Sequence, residues 1–404
     1  MCVYGARVTV HQAAHERLAE VGSNIADDYM TLKLLAAGLA RILWERQRVR
    51  EGAEPTTGLL PQAWRTGVTR LWWRALEQGS NPPVSDMEVF AWCRLPLGCW
   101  PVRLDVSDSD AESLLIDGEE LSAFADEAAR LAPRSDAEAE LTENRTFAKL
   151  QAAAELHGRT EEEVQQAYVA LRLFLIETPV VSDLELNKLT GRFKEVDRHG
   201  RLYVRDFFDA AYQYRKTGGP ASCRVCSDCG NPLHEGVEMC GTPGCTGAPV
   251  IRQLKVLEGY YVQHRGVRVC MHDPGLVEKR LFDALGHLPE GRARLHKWPG
   301  MDACDVAVEF PDPGAPDDPD RSEWWAGDAK DCTSATMLGR SFKWDRRMRA
   351  RHRFLILPRH RFEQKHYVDD LKREMQGRSD GVRVISEGDF VSKARARALG
   401  GTPW

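Results

Sequence analysis

The 404-residue sequence lacks any uninterrupted apolar run of about 18 residues, the length that a membrane-spanning helix needs. Its first residues, MCVYGARVTVHQAAHERL, also lack the apolar core of a secretion signal. We therefore expect a cytoplasmic protein. In that reducing compartment, disulfide formation is not the main use of the eleven cysteines.

Neither sign of charge dominates, since 55 Lys and Arg stand against 60 Asp and Glu, a net charge of −5. Total charge therefore gives no sign of nucleic-acid binding, but the charges are unevenly distributed. Residues 105–143 contain 13 Asp or Glu and two Arg, whereas residues 321–365 contain 12 Lys or Arg and five Asp or Glu. This asymmetry predicts a division of labour along the chain.

Residues 1–215 form the first predicted region, which is mostly helical. Apolar residues recur at helical spacing over residues 11–49, with a break near Gly22–Asn24, and Thr160 and Glu163 stand at capping-box spacing before another helical pattern. No repeat and no catalytic motif is visible here. We therefore assign this region to recognition and regulation rather than to chemistry.

Residues 216–262 form the second predicted region, which opens with the linker-like stretch KTGGPAS. Two short segments that follow it, CSDCG and CGTPGC, resemble the two knuckles of a zinc ribbon. Two thiolates from each short turn suit a tetrahedral structural Zn²⁺. We assign the ligands as Cys226, Cys229, Cys240 and Cys245. The alternatives are Cys223 in place of Cys229, His234 as a ligand, or an iron–sulfur cluster.

Residues 263–404 form the third predicted region, in which helices and strands alternate. A Tyr/Val-rich segment at 259–272 is interpreted as a hairpin leading into it. The predicted order is helix 275–286, a short strand before Trp298, strands 305–310 and 323–330, a basic helix at 336–350, strand 353–358, helix 363–376 and strand 382–386. This order predicts an α/β domain with helices on both faces of a sheet, and hence an α+β multidomain protein.

The segment EWWAGDAKD, residues 323–331, ends an apolar strand on Asp328 and Lys330. Side chains two residues apart on a strand point to the same face. The same acid-to-lysine spacing recurs at Glu363/Lys365 and at Asp370/Lys372. Those pairs lie in a helical pattern of mixed charge and are interpreted as solvated surface.

A second acidic residue, Asp305, opens the preceding strand DVAVEF, and Glu278 lies on the predicted helix upstream. Hydrolysis of a phosphodiester needs a hard cation held by carboxylate and carbonyl oxygens, together with a positive group near the phosphate. Asp305, Asp328, the Ala329 carbonyl and Lys330 would supply that set from two neighbouring strands.

This pattern resembles the PD-(D/E)XK nuclease superfamily, with the restriction-endonuclease fold, over roughly residues 270–390. The resemblance implies Mg²⁺ held by Asp305 and Asp328, Lys330 as the catalytic lysine and Glu278 as an accessory ligand. Asp302 competes with Asp305 for the position of the first acid, and the Pro/Asp loop between the strands is longer than the pattern requires.

More narrowly, the architecture resembles the nuclease encoded with prokaryotic PIWI-RE proteins. That resemblance implies DNA as the substrate, a PIWI-RE protein and a helicase as partners, and a part in defence against plasmids or phage.

The basic run GRSFKWDRRMRARHR follows the acid-and-lysine motif directly. An Arg-rich helix beside a metal site would bind phosphates, although a solvated surface helix is the plainer alternative. We assign phosphate contact to Arg340, Lys343, Arg346, Arg347 and Arg351.

The function predicted from the sequence is therefore a Mg²⁺-dependent DNA endonuclease with a structural zinc module. The main alternative is an adaptor that uses the same fold and zinc module to bind nucleic acid or a partner without cutting. A transcription regulator built on the ribbon leaves the acidic strand ends unexplained.

Overall fold

The structure, a computed structural model, describes most of the chain between Asp27 and Gly401. The described residues are 27–50, 52, 54, 60–132, 137–216, 222–233, 236–238, 240–254, 259–315, 318, 320–345, 347–348, 350–377 and 381–401, with the side chains of 137–144 excepted. The predicted break near Gly22–Asn24, most of the linker at 216–222, His234 and Arg346 lie outside them. No described helix is long and apolar enough to cross a membrane.

The first half of the described chain is mainly helical, as the sequence indicates. Its helices are α1 Asp28–Arg50, α2 Gln62–Glu77, α3 Asp86–Trp92, α4 Ala123–Arg130, α5 Ala137–His157, α6 Glu161–Glu177, α7 Asp183–Arg192 and α8 Tyr203–Ala211. Its short strands are β1 Ile116–Asp117, β2 Glu120–Leu121 and β3 Val180–Val181. The predicted capping box is confirmed: the Thr160 hydroxyl accepts from the Glu163 amide, and the Glu163 carboxylate accepts from the Thr160 amide, both at 3.2 Å.

Strands become frequent in the second half. They are β4 Tyr212–Lys216, β5 Ser222–Cys226, β6 Pro249–Gln253, β7 Gly259–Gln263, β8 Arg294–Lys297, β9 Val306–Phe310, β10 Glu323–Ala329, β11 His352–Leu357 and β12 Val382–Ser386. The longer helices are α9 Asp273–Leu285, α10 Ala335–Ser341, α11 Tyr367–Met375 and α12 Glu387–Ala398, with a short turn at Arg359–Phe362. The protein therefore has a mixed helix-and-sheet fold.

The chain divides into two compact units. Unit 1 comprises residues 1–137, 332–341 and 365–374, and unit 2 comprises residues 138–331, 342–364 and 375–404. The two units are defined by the compactness of the structure, and their boundaries differ from those predicted at residues 215 and 262. The three-part division stays a prediction.

Unit 1 has its own core, built largely where α1 packs on α2. The two helices approach closely at Gly38, where a side-chain carbon would lie 2.5 Å from Trp64. Leu32, Leu35 and Leu71 are fully buried at this interface. Apolar residues at helical spacing therefore explain why these segments fold as helices.

Unit 2 contains a five-stranded mixed sheet in the order β12-β11-β10-β9-β8. Strands β8, β9 and β10 are antiparallel neighbours, whereas β10, β11 and β12 run parallel. One face buries Trp325 and Phe354 in a core shared with α9 and α12. On the other face, Ala307 and Ala326 pack against Trp344.

Two local predictions were wrong. The segment 259–272 is not a hairpin, because β7 pairs with β3 and β4 from earlier in the chain and the following residues turn into the start of α9. The basic helix predicted at 336–350 ends at Ser341. Beyond it, Trp344 and Met348 pack on the sheet from a non-helical segment, so burial of these two side chains overrides local helix propensity.

Candidate active site and metal-binding cluster

Asp305, Asp328 and Lys330 meet where β9 and β10 come together. The antiparallel register that pairs Gly327 with Val306 brings Asp328 opposite Asp305. The Lys330 Nζ lies 2.5 Å from Asp328 Oδ1 and 3.4 Å from Asp305 Oδ2, and the Ala329 amide donates to Asp305 Oδ2 at 2.6 Å. The structure therefore brings the three predicted strand-end residues into one cluster.

Glu278 and Asp302 lie beside this cluster, and both are ion-paired to Arg172 of α6. The guanidinium donates to Asp302 Oδ2 at 2.9 Å and to the two Glu278 oxygens at 3.2 and 3.4 Å. The Trp298 indole also donates to Glu278, at 2.6 Å. Arg172 was not among the site residues predicted from the sequence. The capping box at Thr160 predicts helix α6, but it does not predict which residues the side chains of that helix contact.

Charge and burial explain the protonation behaviour of the cluster. Burial raises the pKa of Glu278 to about 7 and that of Asp328 to about 8. For Asp305, the same burial cost is outweighed by the Lys330 charge, by hydrogen bonding with Asp328 and by the Arg172 charge, so its pKa is lowered. For Lys330, the charges of Asp305 and Asp328 outweigh burial and hold its pKa well above the usual range.

The donor set fits a divalent cation. Four carboxylates, with Asp302 as the fourth, face two cationic side chains, which leaves two negative charges when all are ionised. Asp302 Oδ1 is buried and makes no hydrogen bond within the described structure. Buried carboxylate oxygens with surplus negative charge are the ligands that Mg²⁺ prefers. Asp305 and Asp328 are the pair nearest the strand ends.

A separate cluster is formed by the four predicted cysteines. The Sγ atoms of Cys226 and Cys245 lie 3.4 Å apart, and those of Cys229 and Cys240 lie 3.5 Å apart. All four lie within 4.8 Å of one another, and among the described residues they are the one group of three or more candidate ligands that is so close. Zn–S bonds of about 2.3 Å place tetrahedral sulfurs about 3.8 Å apart. The cysteines could therefore hold a metal such as zinc.

Local backbone geometry builds this cysteine cluster. Cys226 ends β5, which pairs with β6, and Gly230 after the second cysteine has a positive φ of 74°. A side-chain carbon at Gly247 would lie 2.3 Å from Cys226 Sγ. Cys223 lies outside the group, in a small apolar cluster with Val225.

A buried polar network joins the cysteine cluster to α9. The Asn231 amide nitrogen donates to the Thr242 hydroxyl at 2.7 Å and to Asp273 Oδ1 at 2.9 Å. Asp273 is the first residue of α9, which also carries Glu278. The cysteine cluster and the helix beside the carboxylates are therefore linked by hydrogen bonds through Asn231 and Thr242.

The predicted phosphate-binding residues are distributed between the two compact units. In unit 1, Arg340 is ion-paired to Glu374 at 2.9 Å. In unit 2, Arg347 is paired with Asp345 at 2.7 Å, whereas Lys343 and Arg351 are exposed. The structure therefore does not unite these residues on one helix.

An open cavity of about 360 Å³ lies at the start of β10. It is lined by Arg321, Ser322, Glu323, Trp324, Ala350, Arg351 and Arg353. Glu323 is ion-paired to Arg397 at 2.9 Å and Arg321 to Asp312 at 2.7 Å. Among the described residues, neither Arg351 nor Arg353 has a carboxylate within ion-pair distance. Arg353 was not among the predicted phosphate-binding residues, because its position in a strand does not indicate that it lines a cavity.

Comparison with known proteins is consistent with this geometry. Residues 275–402 match the family model described as REase associating with pPIWI_RE. Residues 34–182 match the model described as pPIWI_RE three-gene island domain Y. No curated protein and no solved structure matches the chain significantly.

The matched C-terminal model and the mixed sheet with acidic strand ends define a restriction-endonuclease-like nuclease domain. Within that class, the C-terminal domain matches the REase model named for association with pPIWI_RE, and a segment of the first half matches the domain Y model of the pPIWI_RE three-gene island. The resemblance drawn from the sequence is confirmed.

Proposed function

We propose that this protein is a metal-dependent DNA endonuclease that acts with a PIWI-RE protein in prokaryotic defence against foreign DNA. The observation that carries the proposal is the meeting of Asp305, Asp328 and Lys330 at adjacent strand ends, inside the segment that matches the REase model. Folding alone does not require a buried and a half-buried carboxylate beside a lysine at this position, because removing charged groups from water is costly.

Asp305 and Asp328 are the residues that would hold Mg²⁺. When bound, Mg²⁺ neutralises charge on the scissile phosphate and acidifies a bound water. The Ala329 amide keeps Asp305 aligned by its 2.6 Å hydrogen bond. Lys330 is a cation paired with both carboxylates, and we expect it to donate to a phosphate oxygen rather than to act as a base.

The cavity at the start of β10 is proposed to bind the nucleic-acid backbone. Trp324 and Asp328 point to the same face of β10, four residues apart, which corresponds to about 13 Å along a strand. At about 3.4 Å of rise per base step, that distance spans about four steps of duplex DNA. Arg351 and Arg353 would thus contact phosphates near the cleavage position and draw the substrate across the cluster.

The cysteine cluster is proposed to hold a structural Zn²⁺. Four cysteine ligands leave no open coordination position, so this metal would support the fold and not the reaction. Such support would reach α9 through the Asn231–Asp273 hydrogen bond.

A PIWI-RE protein is proposed as the partner on the basis of the names of the two matched family models. One model is named for association with pPIWI_RE, and the other for a three-gene island. A helicase as the third component, and DNA as the substrate, follow from the resemblance stated for the sequence.

One observation favours the adaptor alternative. Each of the four carboxylates already has a cationic side chain as partner, Lys330 for two of them and Arg172 for the other two. A protein that only binds DNA could keep such an ion-paired cluster.

A cleavage assay separates the two functions. Purified full-length protein, alone and with its PIWI-RE partner, is incubated with supercoiled, linear and single-stranded DNA, with Mg²⁺, with Mn²⁺ or without divalent metal. An endonuclease nicks or linearises the supercoiled DNA only when divalent metal is present. Binding without cleavage under every condition, with the partner included, would identify an adaptor.

A further inference from the structure

One face of helix α6 contacts the residues around the candidate active site. Gln165, Tyr168 and Arg172 are three and four residues apart, a spacing that places their side chains on one side of a helix. The helix lies within the segment that matches domain Y, and not within the REase match. Both the helix and the candidate site belong to unit 2.

Gln165 holds the turn that precedes β9. Its amide nitrogen donates to the carbonyls of Lys297 and Trp298 at 3.0 and 2.9 Å, and its carbonyl accepts from the Met301 amide at 3.1 Å. The turn is strained, since Trp298, Met301 and Asp302 all have positive φ, of 43°, 50° and 82°. Such conformations persist when surrounding contacts hold them, and they cluster at functional sites.

Arg172 holds the carboxylates of the same region. It is only 9% exposed, its guanidinium lies 5.1 Å from the centre of the Trp298 ring, and its two ion pairs engage Glu278 and Asp302. A guanidinium keeps its charge when buried and is a planar donor that suits carboxylates. One of the two negative charges of Glu278 and Asp302 is therefore already offset by Arg172 without a metal ion.

We propose that Arg172 is a positioning residue of the nuclease centre, a fixed internal cation that occupies Glu278 and Asp302 and so directs an incoming divalent metal to Asp305 and Asp328. The inference rests on the proposed nuclease function. It removes Glu278, both of whose carboxylate oxygens accept from Arg172, from the metal-ligand set that the family resemblance implies, and it makes the domain Y segment part of the active site.

Arg172→Gln tests this role, because it removes the cation and keeps much of the side-chain volume. Mn²⁺ binding to the full-length, zinc-containing protein is measured by titration calorimetry. Removing a positive charge and releasing two carboxylates should tighten Mn²⁺ binding about tenfold or add a second ion. Cleavage should fall about tenfold or more, because the metal is no longer directed to Asp305 and Asp328. A purely structural role would not tighten metal binding.

The double variant Arg172→Gln/Glu278→Gln provides the decisive comparison, and also serves if the single variant does not fold. It removes one charge of each sign, so the net charge of the cluster is that of the wild type. We expect one Mn²⁺ bound with an affinity within about threefold of the wild type. A loss of about tenfold or more would show that Glu278 is a metal ligand and would overturn the inference.

Arg252→Gln is the matched control. Arg252 pairs with Glu185 at 2.6 Å in the same unit and has no contact with the candidate site, so Mn²⁺ binding should not change. A wild type that binds Mn²⁺ but cleaves nothing contradicts the proposed function alone. An Arg172→Gln variant with wild-type Mn²⁺ affinity and stoichiometry, or a wild type that binds no Mn²⁺, overturns the inference.

Discussion

The cysteine cluster and the carboxylate cluster are built in opposite ways. Four cysteines within 20 residues of chain bring their sulfurs within 4.8 Å of one another. The carboxylates come from α9, from the turn before β9 and from two strand ends, and each is paired to Lys330 or Arg172.

This difference predicts that the two clusters depend on a metal to different degrees. Four thiolates so close together repel one another unless a cation lies between them, so we expect the cysteine arrangement to need a bound ion. The carboxylates are held by ion pairs, amide donors and sheet register whether or not a metal is present. Loss of metal should therefore unfold the first site and only inactivate the second.

The largest expected effect is on the cysteine cluster. Replacing Cys226 or Cys240 by Ser should abolish zinc binding and unfold the module, since structural zinc contributes on the order of 10 kcal/mol to folding. Metal analysis and thermal unfolding would measure this. Cys223→Ala, outside the group, should retain one zinc per chain. Equal zinc content in all three variants, or iron with visible absorbance in the wild type, would contradict the assignment.

The next effect concerns catalysis without loss of fold. Asp328→Ala and Lys330→Ala should each lower the cleavage rate by about 100-fold or more, whereas the melting temperature should change little. Each removes one member of an ion pair that is partly exposed, and the partner left behind can still pair with Asp305 or be protonated. Glu363→Ala is the control, because that exposed side chain pairs with Arg359 on the protein surface. Cleavage at the wild-type rate by either cluster variant would disprove the site assignment.

A smaller effect tests the cavity at the start of β10. Arg351→Ala/Arg353→Ala should weaken DNA binding in Mg²⁺-free buffer and reduce the slope of log affinity against log salt by about 1 to 2. Zinc content should not change. Arg359→Ala removes an exposed arginine that is paired with Glu363, and it should leave the slope as it is. An unchanged slope in the double variant would exclude phosphate contact at this cavity.

The smallest expected effect follows from removing a helix cap. Thr160→Ala removes the side-chain acceptor of the α6 capping box and should lower the free energy of unfolding by about 1 kcal/mol. Because α6 presents Arg172, cleavage should fall slightly while zinc content stays constant. Thr190→Ala, whose hydroxyl bonds to a carbonyl within α7, is the comparison in denaturant unfolding. A larger loss of stability at Thr190 would contradict the importance of this cap.

Several local features could be predicted because neighbouring residues produce them. The cap at Thr160, the strand at Val382–Ser386 and the strand before Trp298 all appear in the structure. The cysteine group also follows from spacing, since two residues between cysteines already set a tight turn. The helix Glu387–Ala398 was missed, although Ser386 caps it by accepting from the Asp389 amide.

The amino-acid sequence alone specified the identity of the strand-end acids, the lysine beside them and the four cysteines, because residue type and short spacing carry that chemistry. Long-range packing was needed for the rest. Arg172 and Glu278 are 106 residues apart, and no local pattern relates a helix in the domain Y segment to an acid on α9. Burial of Trp344 and Met348 against the sheet ended the basic helix early. Such contacts form when apolar faces from distant segments are buried together. They therefore depend on the whole fold, and the local sequence of any one segment does not determine them.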